Sequence, residues 1–460
     1  MYSKIVFFIG LLLPMSLMAQ EKEMDTLRIK VIPPTTTRIV LYSAEGAKQK
    51  YINYTDAQDG DFKLPIPKNM PSGMYRLVFN QKTMDFIDFL YFGKPISFSF
   101  DATKADQLPV FENSKANTTY FSKVKEFNAY QHELDSLQVV YFQTEDPKIL
   151  NILKEDYAVT YNKLESGLSS FVNEDVEPRV KDLVLASVYV KPQLPIADPN
   201  DYLPYIKSHY FDRVDFNNEY LIHSSVLIDK VMDYVFYLTV SQDEKTQNDL
   251  YLKAVDNVLK RVNDDQLKKS FIQALLQSFA KDENIVLSDY LFDNYYNKLP
   301  IGLQNENYRA GLQQELKTAV GRDAPPIEWE EKGEKKSLSE LEGYENYIVV
   351  FWSTSCPHCM REMPKFYEYI KDNEKVKVIM VSLETEESQG TWKSETYYYP
   401  EFSHVLALQK WENPMVRSYN VHATPSYFVL DADKRIIDKP YELLDLEVFF
   451  KDLKRKQDKK

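Results

Sequence analysis

Tyr347-Ile348-Val349-Val350-Phe351-Trp352-Ser353-Thr354-Ser355-Cys356-Pro357-His358-Cys359 is the stretch on which the reading of this chain turns. Its first six residues form an unbroken apolar run, the pattern of a strand. The run leads into the only two cysteines among 460 residues, and they stand three positions apart. A strand feeding a helix that opens with Cys-x-x-Cys is the layout of a thiol-disulfide exchange site.

Downstream, the pattern predicts a helix from about Pro357 to Lys371, a strand over 376–383 and a helical or irregular insertion around 388–399. An apolar run at 405–408, a short helix near 414–419, strands at 426–430 and 435–438 and an amphipathic helix over 444–453 complete it. The order β-α-β, α, β-hairpin, α is that of a thioredoxin fold. Gly321-Arg322-Asp323-Ala324-Pro325-Pro326 punctuates its start, and the domain is placed at residues 317–460.

Upstream the chain changes character twice. Between Thr26 and Phe100, short β-branched or alternating runs such as Leu27-Arg28-Ile29-Lys30-Val31-Ile32 and Met74-Tyr75-Arg76-Leu77-Val78-Phe79 are broken by Gly60-Asp61 and Pro71-Ser72-Gly73. They predict a β-sandwich over 20–112. From 113 to 316, three- and four-residue apolar steps (Phe121, Val124, Phe127, Tyr130, Leu134, then Ile228, Val231, Tyr234, Val235, Leu238) predict an all-α domain. Pro192, Pro195, Pro199 and Pro204 are expected to interrupt its helices, because proline removes a backbone donor. The expected fold class is therefore multidomain: β-sandwich, all-α domain, α/β thioredoxin fold.

Lys4, the apolar run 5–13 and the small residue Ala19 read as a secretory signal peptide over 1–19, cleaved after Ala19. An uncleaved anchor is the other reading. No cysteine follows the run, so a lipid-modified N-terminus is not expected, and the destination would be the periplasm. Exported chains usually use cysteines for structural disulfides, and this one has none beyond the pair, which reserves its thiols for chemistry. A formal charge of −13, from 56 basic and 69 acidic residues, argues against a nucleic-acid partner.

A thiolate is the attacking species, and Cys356 at a helix N-terminus would be stabilised as one by backbone N–H groups, with His358 as a further positive or donating neighbour. Cys359, one turn in, is assigned as the resolving thiol. Glu362 lies three residues on, where a carboxyl buried beside apolar residues could take the Cys359 proton; an ordinary exposed helix glutamate fits the same spacing. Pro425, just before an apolar strand, is either a cis proline that turns the Thr424 backbone toward a client segment or a trans proline starting an edge strand. Trp352, Pro357, His358, Thr424 and Pro425 are the expected client contacts. No metal or organic cofactor is implied: zinc needs about four ligands, and covalent haem attachment needs histidine after the second cysteine, where Met360 stands.

The run from Phe351 to Pro364, with Ala324-Pro325 upstream and Ala423-Thr424-Pro425 downstream, strongly resembles exported thioredoxin-like disulfide reductases of the TlpA/ResA type over about residues 317–458. The resemblance implies a cis Pro425, Glu362 as the acid-base carboxylate, protein disulfide or thiol clients such as apocytochrome c, and a membrane electron donor of the DsbD/CcdA type. Val350 stands where cytosolic thioredoxins carry an aspartate, and Ser355 where many relatives have tryptophan. Pro357-His358 resembles the dipeptide of oxidising DsbA proteins, which raises a thiol oxidase as the alternative. The front of the chain resembles, more loosely, extensions found in Bacteroidetes proteins. A second alternative is an envelope binding protein whose redox domain is accessory.

Overall fold

The structure is a computed structural model that describes residues 24–457 except 46–47, 59, 105–106, 239 and 332. The expected signal peptide lies outside the described residues.

Alternation builds the N-terminal sheets. One runs in the order Asp61–Pro67, Met24–Ile32, Ser97–Asp101, Val110–Phe111, and the other Lys48–Asp56, Arg38–Glu45, Gly73–Asn80, Asp85–Tyr91. Leu27, Ile29 and Val31 from the first sheet meet Ile39, Leu41, Leu77 and Phe89 from the second in one buried core, which makes the pair a sandwich. The sequence reading did not single out Asp61–Pro67, in which Asp61, Lys63 and Pro65 are exposed while Phe62, Leu64 and Ile66 are buried.

Helix Lys115–Phe142 follows, and its first turn is tied to the sandwich by Asn117. The buried Asn117 side chain accepts from the Leu90 N–H and donates to the Leu90 carbonyl, both at 2.7 Å, so a strand edge is satisfied by a helix residue. The expected interruption holds for only part of the proline cluster. The chain is irregular from Val188 to Asp198, but helix Pro199–His209 begins at Pro199 and carries Pro204 inside it. Proline at the first helical position removes an N–H that has no helical partner anyway. Pro204 forfeits one internal bond.

The helices of the stretch 113–316 do not all lie in one compact unit. The chain forms two compact units, the first running to Leu238 and including Arg261–Asn263, the second holding helix Glu244–Leu259 and everything from Asp264 on. Helical periodicity tells that a helix has an apolar face but not which neighbour covers it. In the second unit the late helices are bound to the exchange domain: Arg322 donates to Asp289 at 2.6 Å, Lys439 pairs with Glu283, and Gln314 donates to the Arg417 carbonyl at 2.9 Å.

The five-stranded sheet of this domain runs in the order Ser403–Leu408, Val376–Glu384, Asn346–Trp352, Ser426–Leu430, Ile436–Asp438. The first three strands are parallel and the last two antiparallel. All seven residues of Asn346–Trp352 are buried, and their alternation feeds two cores. Val349 and Phe351 join Val381, Tyr419 and Phe428 on one face, while Ile348, Val350 and Trp352 join Cys359, Met363, Phe366 and Leu446 on the other. The second face is covered by the cysteine helix, Pro357–Ile370, and the C-terminal helix, Leu443–Gln457. A hairpin that the sequence reading missed, Glu328–Glu331 with Glu334–Ser337, precedes the sheet; its charged residues carry no strand pattern.

Candidate active site

Cys356 is the N-cap of the cysteine helix, with Pro357 following as the first helical residue. Its sulfur accepts from the Cys359 N–H at 3.2 Å and donates to the Thr424 carbonyl oxygen at 3.3 Å. Burial pushes the Cys356 thiol up, but hydrogen bonds with Cys359 and Thr424 and the backbone N–H groups of Cys359 and His358 outweigh it, leaving the thiol below its ordinary value. Cys359 is fully buried, and burial pushes it up to about 12. One partly exposed, acidified sulfur thus sits a helical turn from one buried, protonated sulfur.

Glu362 is buried on the same helix, which removes the reading of an ordinary exposed glutamate. Tyr427 donates to Glu362 Oε1 at 2.6 Å, and the Leu443 N–H, first in the C-terminal helix, donates to the same oxygen at 3.3 Å. Oε2 lies 2.7 Å from His358 Nε2. The expected role of the His358 ring beside Cys356 is therefore corrected. The backbone of His358 serves the sulfur, while its ring reaches one turn along the helix to Glu362.

Pro357 and His358 are exposed around Cys356, Thr424 is half-buried, and the Thr424–Pro425 bond is cis. Trp352 does not belong with them. It is fully buried in the core beneath the cysteine helix, edge-on to Tyr399, and cannot touch a client. The central strand is covered on both faces, so its last apolar residue points into the domain.

Two site residues escaped sequence reasoning. Tyr427 is one. The other is Glu384, fully buried at the end of strand Val376–Glu384, which accepts from the Thr354 N–H (2.7 Å) and the hydroxyls of Thr354 (2.9 Å), Ser382 (2.8 Å) and Ser388 (2.6 Å). It fixes the turn that carries Ser353 to Cys356. An acid closing the largely apolar strand Val376–Glu384 was the available signal. Lys410 reaches the same turn, donating to Ser355 Oγ at 3.2 Å.

Residues 320–439 match the AhpC/TSA family. The thiol-disulfide oxidoreductase ResA of Bacillus cereus is 25% identical over 133 residues, covering 29% of this chain and 75% of the relative. The thioredoxin domain of a thiol-disulfide oxidoreductase from Bacteroides vulgatus is 28% identical, covering 29% of this chain and 97% of that one, with a TM-score of 0.26. A thioredoxin-like protein from Bacteroides caccae is 15% identical over 57% of this chain and 97% of its own, with a TM-score of 0.29. The C-terminal third of the chain is thus a thioredoxin-like domain of the AhpC/TSA type, similar in sequence to ResA thiol-disulfide oxidoreductases.

Proposed function

We propose that the chain is an exported thiol-disulfide oxidoreductase that reduces protein disulfides in the periplasm. The observation that carries this reading is the inequality of the two thiols: Cys356 is partly exposed and acidified, Cys359 buried and protonated. The Cys356 thiolate attacks one sulfur of a client disulfide, and the other client sulfur leaves as a thiolate. Cys359, once deprotonated, attacks the Cys356 sulfur. A Cys356–Cys359 disulfide forms, the client's second sulfur is released, and two electrons have passed to the client. The exposed Pro357 and the Thr424 backbone are where the client segment rests. The resemblance to TlpA/ResA proteins supports a membrane donor of the DsbD/CcdA type for re-reduction and apocytochrome c as a client.

The oxidising alternative draws on Pro357-His358. Engagement of the His358 ring by Glu362 weighs against it, since that imidazole is then not a partner of the Cys356 sulfur. Equilibration with glutathione buffers tests the direction: a potential near the thioredoxin value of about −270 mV supports the reductase, and one near the DsbA value of about −120 mV overturns it. Trapping with the C359S variant tests the chemistry. Mixed disulfides with envelope proteins are expected, and their absence defeats the proposal.

A further inference from the structure

The His358–Glu362–Tyr427 chain is longer than a lone acid-base carboxyl requires. Its inner end is the Tyr427 hydroxyl, which shares the buried core with Cys359 and donates to Glu362 Oε1 at 2.6 Å. Burial, the bond to Glu362 and the charges of Glu362 and Cys359 all hold this phenol protonated. Its outer end is the His358 ring, 54% exposed and 2.7 Å from Glu362 Oε2. The two carboxyl oxygens thus face different partners, one inward and one outward. His358 and Glu362 open onto a cleft of about 450 Å³, whose other charged groups are Arg361 and Lys365 on the cysteine helix and Glu442 and Glu447 from the C-terminal side. Solvent reaches the ring there and does not reach Cys359.

Resting on the exchange reading above, we infer that Tyr427, Glu362 and His358 form the path by which the Cys359 proton reaches water during resolution of the mixed disulfide. The Cys359 proton passes to the Tyr427 oxygen as the Tyr427 proton moves to Glu362 Oε1. Rotation of the Glu362 carboxyl then presents that same proton to His358 Nε2, which takes it up, and the imidazolium releases its Nδ1 proton into the cleft. The freed Cys359 thiolate forms the S–S bond to Cys356 as the bond from Cys356 to the client sulfur breaks. On this account the histidine between the cysteines serves the second thiol and not the first.

The test follows the reduced full-length chain with dithiobis(nitrobenzoate) in a stopped-flow instrument. Attack by Cys356 releases one coloured thiolate and closure by Cys359 releases a second. That leaving thiolate needs no proton, so the second phase reports Cys359 deprotonation. H358A and Y427F are each expected to slow the second phase by about tenfold or more at pH 7, with the deficit shrinking as pH rises toward the range where Cys359 ionises unaided. The first phase should keep its rate and its pH midpoint. H358Q keeps a donor beside Glu362 but cannot carry a proton, so it should remain as slow as H358A; recovery to the wild-type rate would reduce His358 to a clamp and overturn the relay. An unchanged second phase in H358A or Y427F overturns it also, as does a shifted first-phase midpoint in H358A, which would return the ring to Cys356. A wild-type chain that shows no second phase defeats the exchange reading itself, whereas two wild-type phases leave that reading intact whatever the variants do.

Discussion

The Cys356 thiol donates to the Thr424 carbonyl oxygen across 3.3 Å, so the nucleophile at the start of one helix is held against the residue two positions ahead of strand Ser426–Leu430. A client backbone laid along Thr424 would therefore arrive already in contact with the attacking sulfur. Opposite it, the Cys359 N–H fixes the same sulfur from below.

That cradle sets a pH order for the two thiols. Because the folded Cys356 is depressed below an ordinary thiol, its thiolate is present at lower pH than in the unfolded chain. Alkylation by iodoacetamide, followed by peptide mass spectrometry, should modify Cys356 with a midpoint below that of the same cysteine in the unfolded chain. Cys359, raised to about 12, should stay unmodified in the folded protein throughout the neutral range. Equal labelling of both at pH 7 would contradict the assignment.

Glu384 holds the active-site turn through the N–H and hydroxyl of Thr354 and also accepts from the hydroxyls of Ser382 and Ser388. E384A leaves the Thr354 N–H and buried hydroxyls without an acceptor and should cost roughly 3 kcal/mol in urea unfolding. E384Q, which keeps one carbonyl oxygen, should cost less than half of that. The alkylation rate of Cys356 should fall in E384A in proportion to the loosening of Ser353–Cys356.

Trp352 separates packing from recognition. W352A removes a large fully buried side chain and is expected to destabilise by about 3–5 kcal/mol. W352F should cost about 1–2 kcal/mol, because the indole Nε1 has no hydrogen-bond partner among the described residues and none is lost. The KM for a protein disulfide should be unmoved in W352F; a large rise would return this residue to the client surface.

His404 provides a stability switch outside the site. Burial depresses its pKa, against the Tyr399 carbonyl and Glu331, which favour the charged ring, and together with Lys377, which opposes it. Nε2 donates to the Tyr399 carbonyl at 2.9 Å, leaving Nδ1 buried and unpartnered among the described residues. The unfolded chain thus binds the proton more readily. Stability from the neutral ring is complete above about pH 6.5 and is lost as pH falls through the lower folded value. Urea midpoints at pH 7.5 and 5 should show that loss in the wild type, and H404Q should flatten its share of the slope.

Legibility in the sequence followed the reach of each interaction. The strand Asn346–Trp352 and the cysteine helix could be read from runs of neighbouring residues, since apolar periodicity and the Cys-Pro start are local. Trp352 was misread because the same run conceals which residues face a cover and which face solvent. Tyr427 meets Glu362 across 65 positions and Glu384 meets Thr354 across 30, distances over which spacing says nothing. Glu328–Glu331 and its partner strand were hidden by their charge, and the division of the helical stretch by the absence of any sequence mark for which face meets which neighbour.

That division bears on where the exchange domain can be cut. Residues ahead of the AhpC/TSA match are not a detachable handle: Ile285 packs against Gly321, Thr318 donates to the Tyr419 carbonyl, and Gln314 walls a groove shared with Trp411, Arg417 and His422 just ahead of Thr424. A fragment begun at residue 320 would keep both cysteines and Glu362 yet lose Gln314 from that groove. In this protein the helices from Glu244 onward act as the scaffolding of the catalytic domain, so the natural seam for dissecting it lies among helices rather than at the edge of the thioredoxin-like fold.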